Sequence, residues 1–498
     1  LWPGWLAAAA LGAALRFPYL DGGLPGLPGP DEQAVVRRAN GVLDGHLPDL
    51  YDWPTGTVFL QAAVMRVDEL LGGVVDPFTL GRIVVAIVGT ALVVLTGWLA
   101  AEVAPAARRR WVSWGAAGLV AVAYVAVRMS RTIHPEIVQA LAVVASLGFG
   151  VRYDRTGRRR DLVCAGLLAG AAAGVKYLGV LALVVPVLSI LTRADNGPGG
   201  RPRALLVALG TSVGAFLLLV PGMFVHPAVV GAGINGQLTH QERGHPGFDG
   251  GGPSWGFHLT QSLPGSWGWP ITVLGLAGLA LAAWRGTRQQ RLLAAFVGLS
   301  FAVIGASSLE FPAYALLLLP AFAVFAVLAV DRLVRAIGAV PSLVVAAVVV
   351  ATLAPTVAHD VQLVRAASVA DTRARSAELL AELDDDHPIV EERYTDLVGR
   401  RSYLGALGEH PEVLECDCLV VISSYIEERY RAEPERYAKE LRVYDELRER
   451  GEVVAVIRGD HDLSYRWDHI PQWGADELPV IGSSDELGPT ITVIDLRS

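Results

Sequence analysis

LVCAGLLAGAAAGVKYLGVLALVVPVLSIL, residues 162–191, is the stretch on which the topology turns. It is apolar apart from Lys176, too long for one pass and short for two, since a spanning helix needs about 20 residues. Both flanks are basic: Arg152, Arg155, Arg158, Arg159 and Arg160 precede it, and Arg193, Arg201 and Arg203 follow. Basic loops stay on the cytoplasmic side, so an even number of passes must separate these two. The run therefore reads as a hairpin of two short helices, turning where Gly174 and Gly179 flank Lys176 and Tyr177.

Outward from the hairpin, apolar runs recur as far as about residue 358 and then stop. Of the 498 residues, 52% are hydrophobic and only 18% charged. A soluble domain carries about 25% charged residues, so the pattern is that of a polytopic α-helical membrane protein. Eleven spans are expected: Trp2–Leu20, Leu80–Ala101, Trp111–Val127, Ile133–Val151, the two arms of the hairpin, Ala204–Phe224, Trp269–Trp284, Leu292–Ser307, Ala313–Val330 and Val340–Ala358. The segment Val58–Val75 carries Arg66, Asp68 and Glu69 and reads as a membrane-surface helix. Val225–Trp267, rich in Gly, Pro, His and Trp, reads as a long outward loop. The first segment lacks a basic leader and is expected to be an anchor rather than a cleaved signal. Sixteen arginines fall on the inward loops, against seven basic residues on the outward ones before residue 359. That asymmetry places the N-terminus inside and everything after residue 359 outside.

Two domains are expected, a transmembrane domain over residues 1–358 and a soluble extracytoplasmic α/β domain over residues 359–498. Strand-like runs cover residues 388–390, 418–422, 453–457 and 490–494, with a charged helical stretch over 427–450. Cys164 lies in an apolar run, while Cys416 and Cys418 stand two residues apart at a strand-like run. No bridge between those two is expected, and no zinc spacing occurs. The net charge of −8 is segregated by side of the membrane, and the basic residues form short separate clusters, which argues against a nucleic-acid partner.

Chemistry-bearing residues gather in the outward segments. Asp31 and Glu32 follow a Pro- and Gly-rich approach over residues 21–30. Acids after Pro30 are what a helix start prefers, and that plain reading stands beside a catalytic one. The turn from Ser130 to Glu136 sets Arg131, His134 and Glu136 at the entrance of a span. Lys176 and Tyr177 mark the hairpin turn, and the long loop adds His240, Arg243, His245 and Asp249, joined by Glu310. Ionisable groups at membrane depth cost about 2.5–3.5 kcal/mol and mark functional sites by default. Lys176 is the sharpest, because the protein uses arginine nearly everywhere and its only other lysine is Lys439. It could snorkel to the interface, or supply a point charge for an anionic group such as phosphate. The histidines of the long loop read equally as an ordinary polar loop; their spacing matches no metal motif.

Taken together, these segments resemble the C-type fold glycosyltransferases of family 39, the group of the protein O-mannosyltransferases and the lipid A aminoarabinose transferases. The residues that carry the resemblance are Ala14-Leu15-Arg16-Phe17 followed by Pro30-Asp31-Glu32, Ser130 to Glu136, Ala173-Gly174-Val175-Lys176-Tyr177, and Glu310-Phe311-Pro312-Ala313-Tyr314 with Leu319-Pro320. It covers about the first 360 residues, and the soluble domain is similar to the variable tail of bacterial members. The resemblance implies an inverting transfer of a hexosyl or pentosyl group from a polyprenyl-phosphate donor to a glycan, lipid or protein acceptor. The transfer would occur on the extracytoplasmic side of the cell's inner membrane. It implies catalysis by a first-loop aspartate, here Asp31, with a second outward acid. Family members commonly have aspartate at that second place, where Glu136 stands here.

On this reading Asp31, Glu32 and Glu136 are the catalytic acids, with Asp31 as general base. Lys176, Tyr177 and Arg131 hold the donor phosphate, and His134, His240, Arg243, His245 and Glu310 are acceptor or loop candidates. No cofactor is certain, and a divalent metal stays open because family members differ. The rival is a transporter or flippase using the same charges as a pathway. It is disfavoured because the charges collect at one face and no two halves of the chain look alike. A non-catalytic scaffold would leave Asp31 and Lys176 unexplained.

Overall fold

Where the chain turns, proline and glycine punctuate it, and the helices fall between them. The computed structural model describes residues 1–24, 30–48, 51–197, 199–244, 251–338, 342–368, 371–383, 388–395, 401–459 and 489–497. The first half holds α1 (Trp2–Arg16), α2 (Pro30–Leu43), α3 (Gly56–Leu70), α4 (Pro77–Val103), α5 (Arg109–Ala121), α6 (Tyr124–Met129), α7 (Pro135–Thr156) and α8 (Arg159–Val175). A 3₁₀ turn over Tyr177–Leu183 follows, then α9 (Val184–Thr192), α10 (Gly200–Leu219), α11 (Gly222–Val225) and α12 (Pro227–Arg243). Next come α13 (Trp255–Phe257), a π-helical turn (His258–Ser262), α14 (Leu263–Trp267), α15 (Trp269–Arg285) and α16 (Arg288–Gly305). A 3₁₀ turn over Pro312–Leu317 leads to α17 (Leu319–Ile337) and α18 (Ser342–Ala366).

The hairpin reading of residues 162–191 holds. Helix α8 stops at Val175, Lys176 is extended, and the 3₁₀ turn runs back along α8. A Cβ at Gly179 would lie 2.2 Å from the Ala172 carbonyl carbon, so only glycine permits this return. On its other side α8 meets α10 through Gly166, Gly170 and Gly174, spaced four apart on one face. There a Cβ at Gly170 would come within 2.0 Å of the Ser212 carbonyl oxygen. Helix α17 is apolar all round over Leu319–Ala329 and accordingly buried. Trp267, fully buried, stacks on its Phe322 with ring centroids 6.5 Å apart and donates to the Leu119 carbonyl at 2.7 Å.

Two expectations change. Among the described residues, four helices are long and apolar enough to cross a membrane: α4, α7, α10 and the Ala347–Ala366 part of α18. The pair Trp255–Trp267 and Trp269–Arg285, bent by 117°, makes a fifth if taken as one span. The count of eleven is not reproduced on that measure because the other apolar helices are short, broken or charged at their ends. Helix α1 has 15 residues, Val122 and Ala123 divide α5 from α6, and α17 ends in Asp331, Arg332 and Arg335. The expected loop over Val225–Trp267 is also largely helical, as α12 to α14.

The break between α5 and α6 leaves backbone carbonyls without helical partners, and fully buried Arg16 supplies them. It donates to the carbonyls of Val120 (3.2 Å) and Ala121 (2.9 Å) and to Ser130 Oγ (3.2 Å). Two further buried arginines hold the segment after α1. Arg131 donates to the carbonyls of Leu15 (3.1 Å), Arg16 (3.2 Å) and Pro18 (2.7 Å), and Arg82 donates to Leu20 and Gly22, both at 2.9 Å. Between these anchored carbonyls Tyr19 takes φ 55°, a left-handed conformation costing a non-glycine residue about 1–2 kcal/mol.

The C-terminal portion is the expected α/β unit. Its strands β1 (Ile389–Glu392), β2 (Arg401–Leu404), β3 (Leu419–Ser423), β4 (Glu452–Ile457) and β5 (Ile491–Asp495) form one sheet, ordered β2-β1-β3-β5-β4. β1 pairs in parallel with β2 and β3, while β5 is antiparallel to β3 and β4. β2 was not anticipated; Arg401-Ser402-Tyr403-Leu404 lacks the apolar run of the others. Along β3 the residues alternate: Val420 and Ile422 face the core under α20 (Ser424–Ala432) and α21 (Ala438–Arg450). Leu419 and Val421 face the opposite core, beside Leu380 of α19 (Thr372–Leu383). Cys416 and Cys418 form a disulfide, against expectation. Residues two apart in extended backbone share a face, and the two cysteines, just before β3 begins at Leu419, have Cα atoms 5.4 Å apart, within the usual range for a disulfide.

Glu392, at the end of β1, is fully buried and accepts from the N–H groups of Leu407 and Ser423, both at 3.0 Å, and from the Tyr444 hydroxyl. Burial raises its carboxyl to about 8, against the pull of these three donors. A folded-state value above the unfolded one means that the native state holds the extra proton. The stabilisation it brings is present below the ordinary carboxylate range and is lost as pH rises toward 8. Amide exchange at β1 and β3 in the full chain, corrected for intrinsic rates, should therefore report weaker protection at pH 8.5 than at pH 5. Glu392→Gln should flatten that dependence.

Candidate active site

Three helix ends from separate parts of the chain converge. Pro30 opens α2, and Asp31 and Glu32 occupy its first turn. Pro135 opens α7 after His134, with Glu136 in its first turn. Carboxylates at helix N-termini are favoured by the backbone dipole, and a cation is favoured at a C-terminus. The third end is of that kind: Lys176 follows the last residue of α8.

Lys176 Nζ forms an ion pair with Glu136 Oε1 and lies 4.6 Å from the centroid of the Tyr314 ring. Both members of the pair are nearly buried. His134 Nδ1 stands 3.7 Å from Asp31 Oδ2 and 3.7 Å from Glu136 Oε2. Asp31, His134, Glu136 and Lys176 are thus one cluster, with Asp31 its solvent-facing member at 46% side-chain exposure. The surrounding protein nevertheless withdraws enough water to raise the Asp31 carboxyl above its ordinary value. His134 and Lys176 pull it back, while Glu136 and Asp52 add to the rise. Burial alone would lower His134, but the carboxylates of Glu136 and Asp31 hold it above its usual value.

Glu32 points away from its neighbour. It is 1% exposed, takes Arg82 Nε on Oε1 (2.8 Å) and Arg82 Nη2 on Oε2 (2.7 Å), and accepts the Ile133 N–H at 3.0 Å. Arg131 does not join the cluster either, because its guanidinium is engaged by the carbonyls at the end of α1. Tyr177 donates to the Tyr51 carbonyl at 3.0 Å and ties the 51–53 segment to the hairpin turn. His240 on α12 is half-buried and lowered by burial and then by the charge of Lys176, so it borders the cluster. The next residue, Gln241, donates to the Tyr314 hydroxyl at 3.0 Å. Glu310 lies half-buried just before Pro312. Arg243 closes α12 by its backbone; its side chain, and His245 and Asp249, lie outside the described residues.

Sequence reading missed Arg82, Tyr314 as the ring under Lys176, and Asp52. The last is partly exposed, pairs with Arg38 at 3.2 Å and acts on Asp31. An arginine inside the apolar run 77–103 was the available signal for Arg82.

The architecture can now be compared. The chain superposes on the oligosaccharyltransferase of Archaeoglobus fulgidus in its apo form with TM-score 0.55 and 15% identity, over 89% of this chain and 72% of that one. The same enzyme, AglB, in complex with an inhibitory peptide and a dolichol-phosphate, matches with TM-score 0.55 and 15% identity, over 90% and 72%. ArnT from Cupriavidus metallidurans, bound to undecaprenyl phosphate, matches over 99% of this chain and 98% of that one, with TM-score 0.51 and 16% identity. The fold is that of a C-type membrane glycosyltransferase. The family model of dolichyl-phosphate-mannose-protein mannosyltransferases matches residues 71–196, which span α4 to the end of the hairpin. No curated protein matches the sequence.

Among the described residues, no group of three His, Cys, Asp or Glu is placed to hold an ion. In the cluster itself Lys176 already neutralises Glu136. Breaking a buried pair by removing one partner costs about 3–5 kcal/mol. Arg82→Ala should therefore lower the stability of the membrane part by that order, measured by thermal unfolding in detergent. Arg82→Ala with Glu32→Leu, which strands no buried charge, should recover part of the loss.

Proposed function

We propose that this protein is an inverting glycosyltransferase that moves a sugar from a polyprenyl-phosphate donor to an acceptor hydroxyl outside the cytoplasm. The observation that carries the proposal is the cluster of Asp31, His134, Glu136 and Lys176: an open carboxylate beside a lysine, in a fold of lipid-linked sugar transferases. Asp31 takes the proton of the acceptor hydroxyl as its oxygen attacks the anomeric carbon. The bond from that carbon to the phosphate oxygen breaks on the opposite face, and Lys176 neutralises the departing phosphate. Lys176 is then shared between phosphate and Glu136. His134 steadies the ionised Asp31, and Glu32 with Arg82 positions it. The known lipids of similar folds, undecaprenyl phosphate in ArnT and dolichol-phosphate in AglB, support this donor class.

We assign residues 1–358 to the transferase domain and 359–498 to an extracytoplasmic domain of an inner-membrane protein. The Cys416–Cys418 disulfide suits an oxidising compartment. Single cysteines introduced after residue 360, in a background lacking Cys416 and Cys418, should react with an impermeant thiol reagent on intact cells. Protection until the membrane is opened would reverse the orientation.

Asp31→Asn keeps shape and removes the base, so turnover of a polyprenyl-phosphate sugar should fall by about 10²–10⁴-fold with binding retained. Because the Asp31 carboxyl is raised, activity should fall with acidification at a pH above that of an ordinary aspartate. Lys176→Ala should weaken polyprenyl-phosphate binding by about ten- to a hundred-fold. Unchanged binding would leave Lys176 as the structural partner of Glu136. Near-normal transfer by a folded Asp31→Asn protein would remove Asp31 as the base.

A further inference from the structure

The stretch after α1, over residues 17–24, is held more firmly than a connection requires. Arg131 and Arg82 between them bind the carbonyls of Leu15, Arg16, Pro18, Leu20 and Gly22. The Tyr19 carbonyl accepts the Gly22 N–H at 3.3 Å, closing the turn. What this scaffold displays is Tyr19, left-handed at φ 55° and 52% exposed. Glycine adopts that conformation freely, so the backbone alone would be better served by glycine. Strain of this kind, held by surrounding structure, concentrates at ligand sites. The same Arg82 that grips Leu20 and Gly22 also grips Glu32, so the backbone beside Tyr19 is joined through one side chain to the residue next to Asp31.

We infer that Tyr19 is an acceptor-contacting specificity residue and that the acceptor it recognises is a saccharide. This rests on the transferase reading above. Because the alternate carbonyls of the segment are already bound, it has few main-chain partners left for an extended peptide, which docks by adding a strand. An aromatic face and a phenol hydroxyl remain. These fit the C–H face of a sugar ring and its hydroxyls, while the open carboxylates of Asp31 and Asp52 accept further hydroxyl protons.

The test uses the full chain in detergent, saturated with polyprenyl phosphate and titrated with a panel of methyl glycosides and, separately, a threonine-containing peptide. Saturation-transfer NMR reads the binding. Tyr19→Gly relieves the backbone, so it should fold at least as stably as the parent. It should bind the preferred methyl glycoside at least threefold more weakly, whereas Tyr19→Phe should stay within twofold of the parent. Polyprenyl-phosphate affinity should be unchanged in both variants. Equal glycoside affinity in Tyr19→Gly, or a Tyr19-dependent signal from the peptide in place of the glycosides, would overturn the assignment. Failure of the parent protein to bind polyprenyl phosphate would instead overturn the transferase reading itself.

Discussion

The buried contact between Arg82 and Glu32 is the constraint on which the geometry of the proposed site depends. It joins four segments of the chain: the stretch after α1, the start of α2, the second turn of α4 and the turn before α7. Each hydrogen-bonding group at that crossing is matched, as a buried ion pair requires. Glu32 uses both oxygens on the guanidinium and one of them again on the Ile133 N–H. The consequence is geometric: Asp31 and His134 are adjacent in sequence to the two residues so joined, and their separation is set by that join. Without it, the two proline-started helices would lose the contacts that fix their register to within a hydrogen bond's length.

Much of this architecture was legible in the sequence, for identifiable reasons. The hairpin at Lys176 followed from charge sidedness and glycines, and the glycines act in the structure as expected. Four of five strands were visible because apolar runs bounded by turns are the local signal of a buried strand. What was not legible depended on partners distant in sequence. Glu32 and Asp31 look alike in one dimension, and only Arg82, 50 residues away, separates the buried carboxylate from the open one. Arg131 looked like a phosphate ligand until the end of α1 took its donors. The Cys416–Cys418 bridge was misread because residues two apart in extended backbone share a face, which allows the pairing that was not expected.

The span count is not confirmed, for a related reason. Hydropathy measures a helix by its length and composition, whereas this protein divides passes at Val122–Ala123, Lys176 and Gly268 and caps the breaks from other helices. Arg16 closes the first of these breaks with carbonyl hydrogen bonds. Irregular backbone at membrane depth survives only where protein supplies such partners. The broken helices are therefore tied to the buried arginines, and the arginines cluster beside the proposed site. Asp360 of α18, fully buried, adds an acidic side chain in the electrostatic field of Arg16 and Arg131.

The distribution of charge then separates groups that hold the site from groups that can act in it. Glu32 is saturated by Arg82, and Glu136 has Lys176 on one oxygen. Asp31 and Asp52 are the carboxylates of the region whose side chains are substantially open to solvent. A base must be reachable by substrate and must be able to shed and regain a proton. Asp31 satisfies both conditions, since it is open on one side and its surroundings raise its carboxyl on the other. Lys176 meets the complementary requirement. Its cation is held in place before any phosphate arrives, at a helix end and over an aromatic face, so little reorganisation is needed when charge develops on a leaving group.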